Sequence, residues 1–373
     1  MIRTSSGFSG AENYNLTLAK ELFKKKYNIR IEFITDNLKF HKRLIDLKIK
    51  SHLLKIQIRE VGTKKEFFNA FLISPLLIVN YLKIINQIKN DGQIKTVIFQ
   101  SMTEKIFLTL VLRFLNYEII WLEHGPLFIT DRFVFVKILY RIQSRMATKI
   151  IAVSEDTRRD LNSNGIDSKK VNVISPGIDV KYFDPQVSNK NKIKKRLMVE
   201  DRLVIGYSGG ITKEKGIDEL LEIVRYISDK ISNTLFMMVG AGPYVEHAKK
   251  TAKDWNIDKN IIFTGYKENV RDYLSVMDVF LFPTKHKEGL SVSLIEAAAM
   301  ELLIVAHDIG GNGEIILNNV TGFLYKNLDL VQILNIITNY NSYAKLRKNA
   351  RLLVIKKFKI ENTAEQFSRL IDN

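Results

Sequence analysis

The sequence predicts an α/β protein made of two doubly wound domains, each a parallel sheet covered by helices. Short apolar runs alternate with longer amphipathic runs along all 373 residues, which is the pattern of βα units. The pattern breaks over residues 176–195, where two prolines and a glycine precede a polar basic run. We therefore expect an N-terminal domain over residues 1–185 and a C-terminal domain over 186–359, followed by a helix at 360–373.

The elements of the first domain are predicted in chain order. Strands are expected at residues 30–34, 53–59, 96–99, 119–122, 149–153 and 171–174, and helices at 11–26, 66–89, 104–115, 132–145 and 155–162. A doubly wound sheet normally opens with a central strand that feeds a glycine turn. Here only six residues precede the turn at Gly7–Gly10. Either the chain begins downstream of its true start, which we favour, or the first sheet lacks its central strand.

The second domain restarts with a strand at residues 203–207 that enters another glycine turn. Further strands are expected at 235–239, 261–264, 279–282 and 303–306, with helices at 217–231, 244–256, 270–277 and 291–300. From Asp329 onward the chain is predicted to be helical. The architecture is thus two doubly wound sheets in tandem.

Composition and charge exclude several classes of protein. The content of 46% apolar and 26% charged residues is typical of a folded soluble protein, and the absence of cysteine excludes disulfides and thiolate metal sites. No signal peptide is recognised, and the apolar stretches 70–85 and 105–122 are too interrupted for a membrane span. The net charge of +17 is concentrated in residues 1–185, which hold 30 basic and 18 acidic residues. This surplus favours an anionic partner, either lipid headgroups or nucleic acid.

Two glycine-rich turns run into helices and have the form of anion-binding sites. Small residues let a ligand approach the backbone, and a helix N-terminus presents unpaired N–H groups. The first turn contains Ser9 and Gly10, and the second contains Gly209 and Gly210, with Lys215 shortly after them. The second is not a P-loop, because its lysine does not follow the second glycine of that motif. Taken alone, each is also compatible with a plain surface turn.

The most informative segment is a strand, a polar loop and a helix in which Glu288 precedes Glu296 by eight residues. The helix is expected to begin near Leu290 or Ser291, which places Glu296 about 8 Å further along at ~1.5 Å per residue. Both carboxylates can then face the crevice beyond the carboxyl ends of the strands, where open α/β sheets bind ligands. The N–H groups of Leu290 and Ser291 would point into the same space and suit a phosphate.

His124 stands where another predicted strand ends in a turn. A histidine there can donate to a ligand hydroxyl or transfer a proton. A lone histidine in a turn is otherwise usually structural, and the sequence leaves both interpretations open.

Together these segments resemble the retaining family 4 glycosyltransferases of GT-B fold. The matching segments are 152–155, 175–179, 206–216, 239–243, 264–266, 278–296, 310–314 and 321–323. The resemblance covers nearly the whole chain, and it implies two Rossmann-like domains that face each other across a cleft. It also implies that residues 360–373 pack back on the first domain, and that the enzyme moves a sugar from a nucleotide-sugar donor to a glycan or lipid-linked acceptor.

The resemblance assigns the donor mainly to the second domain. Its diphosphate would contact Lys215, the Gly209–Gly210 turn and the N–H groups of residues 290–291. Glu296 would hydrogen-bond the ribose hydroxyls, and the pair Tyr266–Lys267 would flank the base.

The remaining roles concern the transferred sugar and the acceptor. By the same resemblance, Glu288 would contact the sugar and His124 would reach it from the first domain. The Ser9–Gly10 turn would face the acceptor. We expect no metal or other cofactor, because the chain lacks an Asp-x-Asp pair and Lys215 can supply the positive charge.

One departure from the family pattern concerns charge at the phosphate turn. The family usually has an arginine where this chain has Gly210, so neutralisation of the diphosphate falls more heavily on Lys215. A second departure is the absence of the usual glycine and proline in Met300–Leu303. Together with the short N-terminus, these departures leave a weak or inactive member as an alternative.

The basic first domain suggests a cytoplasmic enzyme bound peripherally to the inner face of an anionic membrane, in cell-envelope polysaccharide synthesis. A basic nucleic-acid-binding protein would belong to a different functional class, but no recognition motif supports it and we expect no nucleic-acid partner. An epimerase or a phosphorylase-like enzyme of the same fold is also compatible with these motifs, and so is a catalytically inactive partner subunit.

Overall fold

The computed structural model describes residues 1–3, 10–24, 27, 29–56, 64–90, 94–127, 134–186 and 190–372. The chain divides into two compact units, of which the first comprises Met1–Ser175 with Thr363–Asn373 and the second Pro176–Asn362. In the described part, each unit is built on one parallel sheet with helices between successive strands. The predicted α/β fold class is confirmed.

The first unit has seven strands among its described residues. They are β1 (Ile2–Arg3), β2 (Phe33–Thr35), β3 (Ser51–Leu53), β4 (Thr96–Phe99), β5 (Glu118–Glu123), β6 (Lys149–Ala152) and β7 (Val171–Val173). They pair in parallel in the order β3-β2-β1-β4-β5-β6-β7. The intervening helices are α1 (Gly10–Leu22), α2 (Leu38–Asp46), α3 (Lys64–Asn90), α4 (Met102–Phe114), α5 (Val134–Met146) and α6 (Glu155–Ser163).

The opening strand is present but very short. Ile2 of β1 pairs with Ile34 of β2 and with Phe99 of β4, so β1 occupies the centre of the sheet. The N-terminal amine of Met1 donates to the carbonyl of Glu32 at 2.6 Å, and burial lowers the pKa of that amine to about 5. The alternative in which the first sheet lacks its central strand is therefore wrong, because two residues suffice to bridge its neighbours.

Helix α3 is the one described helix that is long and apolar enough to cross a membrane by length and composition. Leu77, Tyr81 and Ile85 are nevertheless buried in the cluster that contains the strand residue Trp121. The Tyr81 hydroxyl also donates to the buried Glu104 at 2.7 Å. This face of α3 therefore belongs to the core of the first unit.

The second unit has six strands among its described residues. They are β8 (Leu203–Ser208), β9 (Thr234–Val239), β10 (Ile261–Gly265), β11 (Val279–Phe282), β12 (Leu303–His307) and β13 (Phe323–Tyr325), in the parallel order β10-β9-β8-β11-β12-β13. Its helices are α7 (Lys190–Leu197), α8 (Ile217–Ser228), α9 (Val245–Asp254), α10 (Val270–Val276), α11 (Val292–Ala299), α12 (Asn312–Ile315), α13 (Leu330–Thr338) and α14 (Ala344–Lys357). The last helix, α15 (Ile360–Asp372), runs from this unit into the first.

The division between the units falls ten residues before the predicted boundary at 185/186, because residues 176–186 pack on the second unit. The Ile178 N–H donates to the carbonyl of Phe358 at 2.9 Å. The Arg351 guanidinium donates to the carbonyl of Phe183 at 2.8 Å. The prolines that suggest a linker therefore lie in a segment held by hydrogen bonds to the backbone.

Helices α2 and α7 and strand β13 are not predicted by the sequence. Helix α7 lies in the basic run that reads as linker, and it packs on α10. Ion pairs from Arg196 to Asp272 at 3.2 Å and from Lys190 to Asp278 at 3.3 Å join it to the second unit. Its amphipathic signal is weak because most of its side chains are polar or charged and Ile193 is its one buried residue.

Candidate active site

The Gly209–Gly210 turn lies at the carboxyl end of β8, one of the two central strands of the second sheet. The Tyr207 hydroxyl donates to the carbonyl of Gly210 at 2.8 Å and holds the turn in place. A Cβ atom on Gly240 would lie 1.9 Å from the carbonyl oxygen of Gly209. The glycines of the 239–243 turn therefore serve close packing against this loop, as a structural turn would.

Lys215 ends a short 3₁₀ turn, Lys213–Lys215, that follows the glycine pair. The next residue, Gly216, has φ of +72°, and a Cβ atom there would lie 1.9 Å from the carbonyl oxygen of Pro283. The Lys285 N–H donates to the carbonyl of Glu214 at 2.9 Å. These backbone contacts seat the lysine turn directly against the loop that follows β11.

Lys215 and Glu288 meet at this junction, as an ion pair with 2.5 Å between Nζ and Oε1. Each side chain is about one fifth exposed, so the pair is accessible to a ligand. The Thr284 hydroxyl donates to the same oxygen at 3.3 Å, and the lysine Nζ lies 5.9 Å from the centre of the Phe282 ring. The structure thus brings together two of the predicted site residues that are 73 positions apart.

The Glu288 loop is held in turn by the glycine pair Gly310–Gly311. The Gly311 N–H donates to the carbonyl of Glu288 at 3.0 Å. A Cβ atom on Gly310 would lie 2.3 Å from that carbonyl oxygen, and one on Gly311 would lie 1.8 Å from the carbonyl oxygen of Gly289. Both positions therefore require glycine, and both hold the backbone from which the Glu288 side chain projects.

Helix α11 begins directly after this loop, with Ser291 as its N-cap. The Ser291 side chain makes no capping hydrogen bond, so it does not satisfy the N–H groups of the first helical turn. Leu290 and Ser291 are themselves buried, and they bring this helix N-terminus next to Glu288. The arrangement combines a cation with the positive end of a helix, which suits a phosphate.

Glu296 lies on α11, about 7.5 Å along the axis from Ser291 at ~1.5 Å per residue. Desolvation raises the pKa of its carboxyl group to about 8, although part of the side chain reaches solvent. Burial also raises the pKa of Tyr182; the charge of Arg271 opposes this rise and that of Glu296 adds to it. Tyr182, stacked on Arg271 at 4.4 Å, is a neighbour of Glu296 that the sequence did not suggest.

Tyr266 and Lys267 follow the end of β10, where Gly265 turns the chain with φ of +71°. Tyr266 is 40% exposed, and the Lys267 ammonium lies 5.6 Å from the centre of the Tyr273 ring. The pair thus presents an aromatic face and a cation at the carboxyl edge of the second sheet. Strand β9 separates this pair from β8 and its glycine turn.

His124 belongs to the first unit, just beyond the end of β5. Its Nε2 lies 2.9 Å from the Gln100 amide oxygen, which also accepts a hydrogen bond from the Asn15 amide at 2.9 Å. The Gln100 amide nitrogen donates back to Asn15 at 3.1 Å, and the Tyr14 ring stands edge-on to the imidazole at 6.1 Å between centroids. With the amides in this orientation, Nε2 carries the proton. Gln100 and Asn15 orient His124, and nothing in their sequence context marks them.

The other predicted acceptor-side residues lie at the start of α1. Gly10 is its first residue and has open space around it, since a Cβ atom there would meet nothing within 4 Å. Ser9 lies outside the described residues. Among those that are described, no group of three or more histidine, aspartate or glutamate side chains is arranged to hold a metal ion.

Comparison with known sequence families agrees with this site and fold. A profile described as Glycosyltransferase Family 4 matches residues 8–182, and one described as Glycosyl transferases group 1 matches residues 188–353. The fold and the phosphate-binding arrangement define a glycosyltransferase of the GT-B class. With both halves matched, the chain belongs to the family 4 glycosyltransferases, and the predicted enzyme class is confirmed.

Two curated relatives show the range of similarity. A UDP-Gal:alpha-D-GlcNAc-diphosphoundecaprenol alpha-1,3-galactosyltransferase of Escherichia coli is 25% identical over 66% of this chain and 67% of its own length. The capsular polysaccharide biosynthesis glycosyltransferase CapM of Staphylococcus aureus is 28% identical over 61% of this chain and 62% of its own length. This chain therefore spans about two thirds of the length of the relatives it matches.

A solved structure supports the fold over the full chain. Anabaena HepE, crystallised with UDP, superposes with a TM-score of 0.83 at 16% identity, covering 100% of this chain and 98% of that one. At this identity the likeness establishes the fold alone.

Proposed function

We propose that this enzyme transfers a sugar, with retention of anomeric configuration, from a nucleotide-sugar donor to a glycan or lipid-linked acceptor in cell-envelope polysaccharide synthesis. The observation that carries the proposal is the Lys215–Glu288 pair, set 2.5 Å apart beside the N-terminus of α11. A cation, a helix end and a carboxylate at the carboxyl edge of a parallel sheet suit a phosphorylated ligand with a hydroxyl-bearing group attached.

The donor diphosphate is assigned to Lys215, to the Gly209–Gly210 turn and to the N–H groups at residues 290–291. Glu288 neutralises Lys215 in this structure, and a bound diphosphate would compete for the same ammonium group. Donor binding would therefore release the Glu288 carboxylate to accept hydrogen bonds from the transferred sugar. Glu296 would accept the ribose hydroxyls.

The base is assigned to Tyr266 and Lys267, and the acceptor side to the first unit. An exposed aromatic ring can stack on a nucleobase, and Tyr266 is 40% exposed. His124, oriented by Gln100, would donate a hydrogen bond to the transferred sugar. The Ser9–Gly10 turn would lie on the acceptor side.

The reaction breaks the bond between the anomeric carbon and a diphosphate oxygen and forms a bond from that carbon to the acceptor oxygen. Negative charge develops on the departing diphosphate, where Lys215 and the backbone N–H groups are already in place. We propose attack on the same face of the sugar, with the acceptor proton passing to the departing phosphate oxygen. The products are the glycosylated acceptor and a nucleoside diphosphate, and no metal is required.

We also propose that the enzyme works in the cytoplasm at the surface of an anionic membrane. Two observations support this: the net charge of +17, and the lipid-linked substrate in the name of the Escherichia coli relative. Each basic residue near an anionic leaflet contributes about 1 kcal/mol of attraction.

The test is a thermal-shift screen of nucleoside diphosphates and their sugar conjugates, followed by an assay of nucleoside diphosphate release. A true donor stabilises the folded enzyme by mass action. Lys215→Met should abolish the stabilisation and lower transfer roughly 10²- to 10³-fold. Lys213→Met, on the same turn but exposed, is the matched control. Release that does not depend on any acceptor preparation, or equal effects of the two variants, would contradict the proposal.

A further inference from the structure

Helix α3 carries a second apolar face that the first unit leaves uncovered. Phe68, Phe71, Leu72, Leu76 and Val79 are 47–61% exposed. They follow one another at the three- and four-residue spacing that puts side chains on one side of a helix. No charged residue occurs between positions 67 and 82.

The exposed face continues from α3 onto α5. Phe67 contacts Phe71 in its own helix at 6.5 Å between ring centroids and Phe135 at the start of α5 at 5.7 Å. The exposed apolar side chains of α5 are Val134, Phe135, Ile138, Ile142 and Met146. The two helices therefore present a joined surface, which we call the α3–α5 apolar surface.

This concentration of apolar side chains is confined to one region. In the described part of the chain, more than half of the large apolar side chains that are exposed belong to α3, α4 and α5. Single exposed apolar residues need no explanation, whereas a contiguous patch marks an interaction site.

Charge selects the partner. Helix α5 contains Lys137, Arg141 and Arg145 and no acidic residue. Helix α3 carries two lysines before and two after its charge-free stretch, against the single acid Glu66. Basic residues that flank an apolar, aromatic surface match an anionic bilayer, where the rings enter the acyl boundary and the lysine and arginine heads reach the phosphates.

The buried face of α3 determines how the helix meets the bilayer. Leu77, Tyr81 and Ile85 pack in the core, and the Tyr81 hydroxyl donates to Glu104. A helix that crossed the membrane would lose these contacts. The helix therefore lies along the interface with only its outer side inserted.

We propose that the α3–α5 apolar surface is a membrane-docking surface that inserts its aromatic and aliphatic side chains into the interfacial layer of an anionic bilayer. This deepens the proposed membrane association, because attachment then depends on apolar insertion as well as on charge. The choice of a bilayer rests on the proposed function only through the lipid-linked acceptor.

The experiment measures co-sedimentation of the full chain with phosphatidylcholine vesicles, with and without about 30% phosphatidylglycerol, at low and high salt. The wild-type chain should bind the anionic vesicles and keep part of this binding at high salt. The triple variant Phe68→Ser, Phe71→Ser, Leu72→Gln should partition at least about tenfold less at either salt. The control Val331→Gln, Leu352→Gln, at side chains 57% and 63% exposed in the second unit, should bind as the wild type does.

A second measurement reports insertion directly. Tryptophan at position 72 (Leu72→Trp) should show a blue-shifted emission with anionic vesicles and quenching by brominated lipid. Wild-type failure to bind vesicles, equal binding by the triple variant, or a concentration-dependent dimer that the triple variant abolishes would each overturn the proposal. The thermal shift given by nucleoside diphosphates should be the same in all these variants, so a failure of donor binding is read separately and counts against the proposed function alone.

Discussion

Raising the pH from 7 to 9 should tighten the binding of a nucleoside diphosphate, because Glu296 gains its charge over this range. Desolvation raises the pKa of Glu296 to about 8. The carboxyl group is therefore about one tenth ionised at pH 7 and about nine tenths ionised at pH 9. The ribose hydroxyls donate to Glu296 in the proposed complex, and an ionised carboxylate accepts both. If only that form binds, the dissociation constant falls about tenfold between the two pH values.

The assay is isothermal titration with the nucleoside diphosphate of the donor at pH 7, 8 and 9, on the wild type and on Glu296→Gln. The glutamine keeps the shape of the side chain but does not titrate, so the variant should bind with nearly constant affinity. A wild-type affinity that is flat with pH, or a variant with the same slope as the wild type, would refute the assignment of Glu296 to the ribose.

The same pKa shift predicts the opposite trend for the stability of the unliganded enzyme. The folded state holds the Glu296 proton more tightly than the unfolded state, where the pKa is near 4.5. The free energy of unfolding therefore decreases as the pH rises from about 5 to about 8, by at most about 1.4 kcal/mol per pH unit. Glu296→Gln should lack this contribution, which denaturant titrations across that range would show.

Three further perturbations test the site. Gly210→Arg should tighten nucleoside diphosphate binding roughly tenfold through a charge-assisted hydrogen bond, since a Cβ atom there meets only Thr212 at 4.0 Å; weaker binding in titration calorimetry would refute the idea that this turn faces the diphosphate. Gln100→Leu should lower kcat about ten- to hundredfold with little change in KM for the donor, because His124 loses its orienting partner; a change in KM alone would contradict this. Dialysis against EDTA should leave sugar transfer unchanged, because Lys215 supplies the positive charge, and activity that Mg²⁺ restores would count against it.

The parallel sheets and the loop beyond β11 were predictable because their signals are local. Strands β4 and β11 have the predicted bounds, since four consecutive apolar or β-branched residues between turns leave little choice of structure. The helix after Glu288 begins within a residue or two of its predicted start for the same reason. Strand β1 could not be found, because two residues carry no periodicity and its place comes from pairing with β2 and β4.

The contacts that orient the site were beyond the reach of the sequence. Gln100 meets Asn15 across 85 positions, and no local pattern marks either residue. The Gly310–Gly311 pair reads as an ordinary turn until its carbonyl neighbours at Glu288 and Gly289 show why no side chain fits there. The uncovered side of α3 was hidden as well, because an apolar run looks the same whether one face or two are buried.

The amino-acid sequence by itself determined the fold class, the family and the chemical identity of the candidate residues, because these depend on short-range periodicity and on motifs read along the chain. Only the tertiary structure decided which of them meet, as Lys215 meets Glu288, and how far Glu296 is desolvated. The physical reason is that ion pairing and desolvation depend on distance and burial in space. Both are properties of the packed chain that spacing along it does not specify.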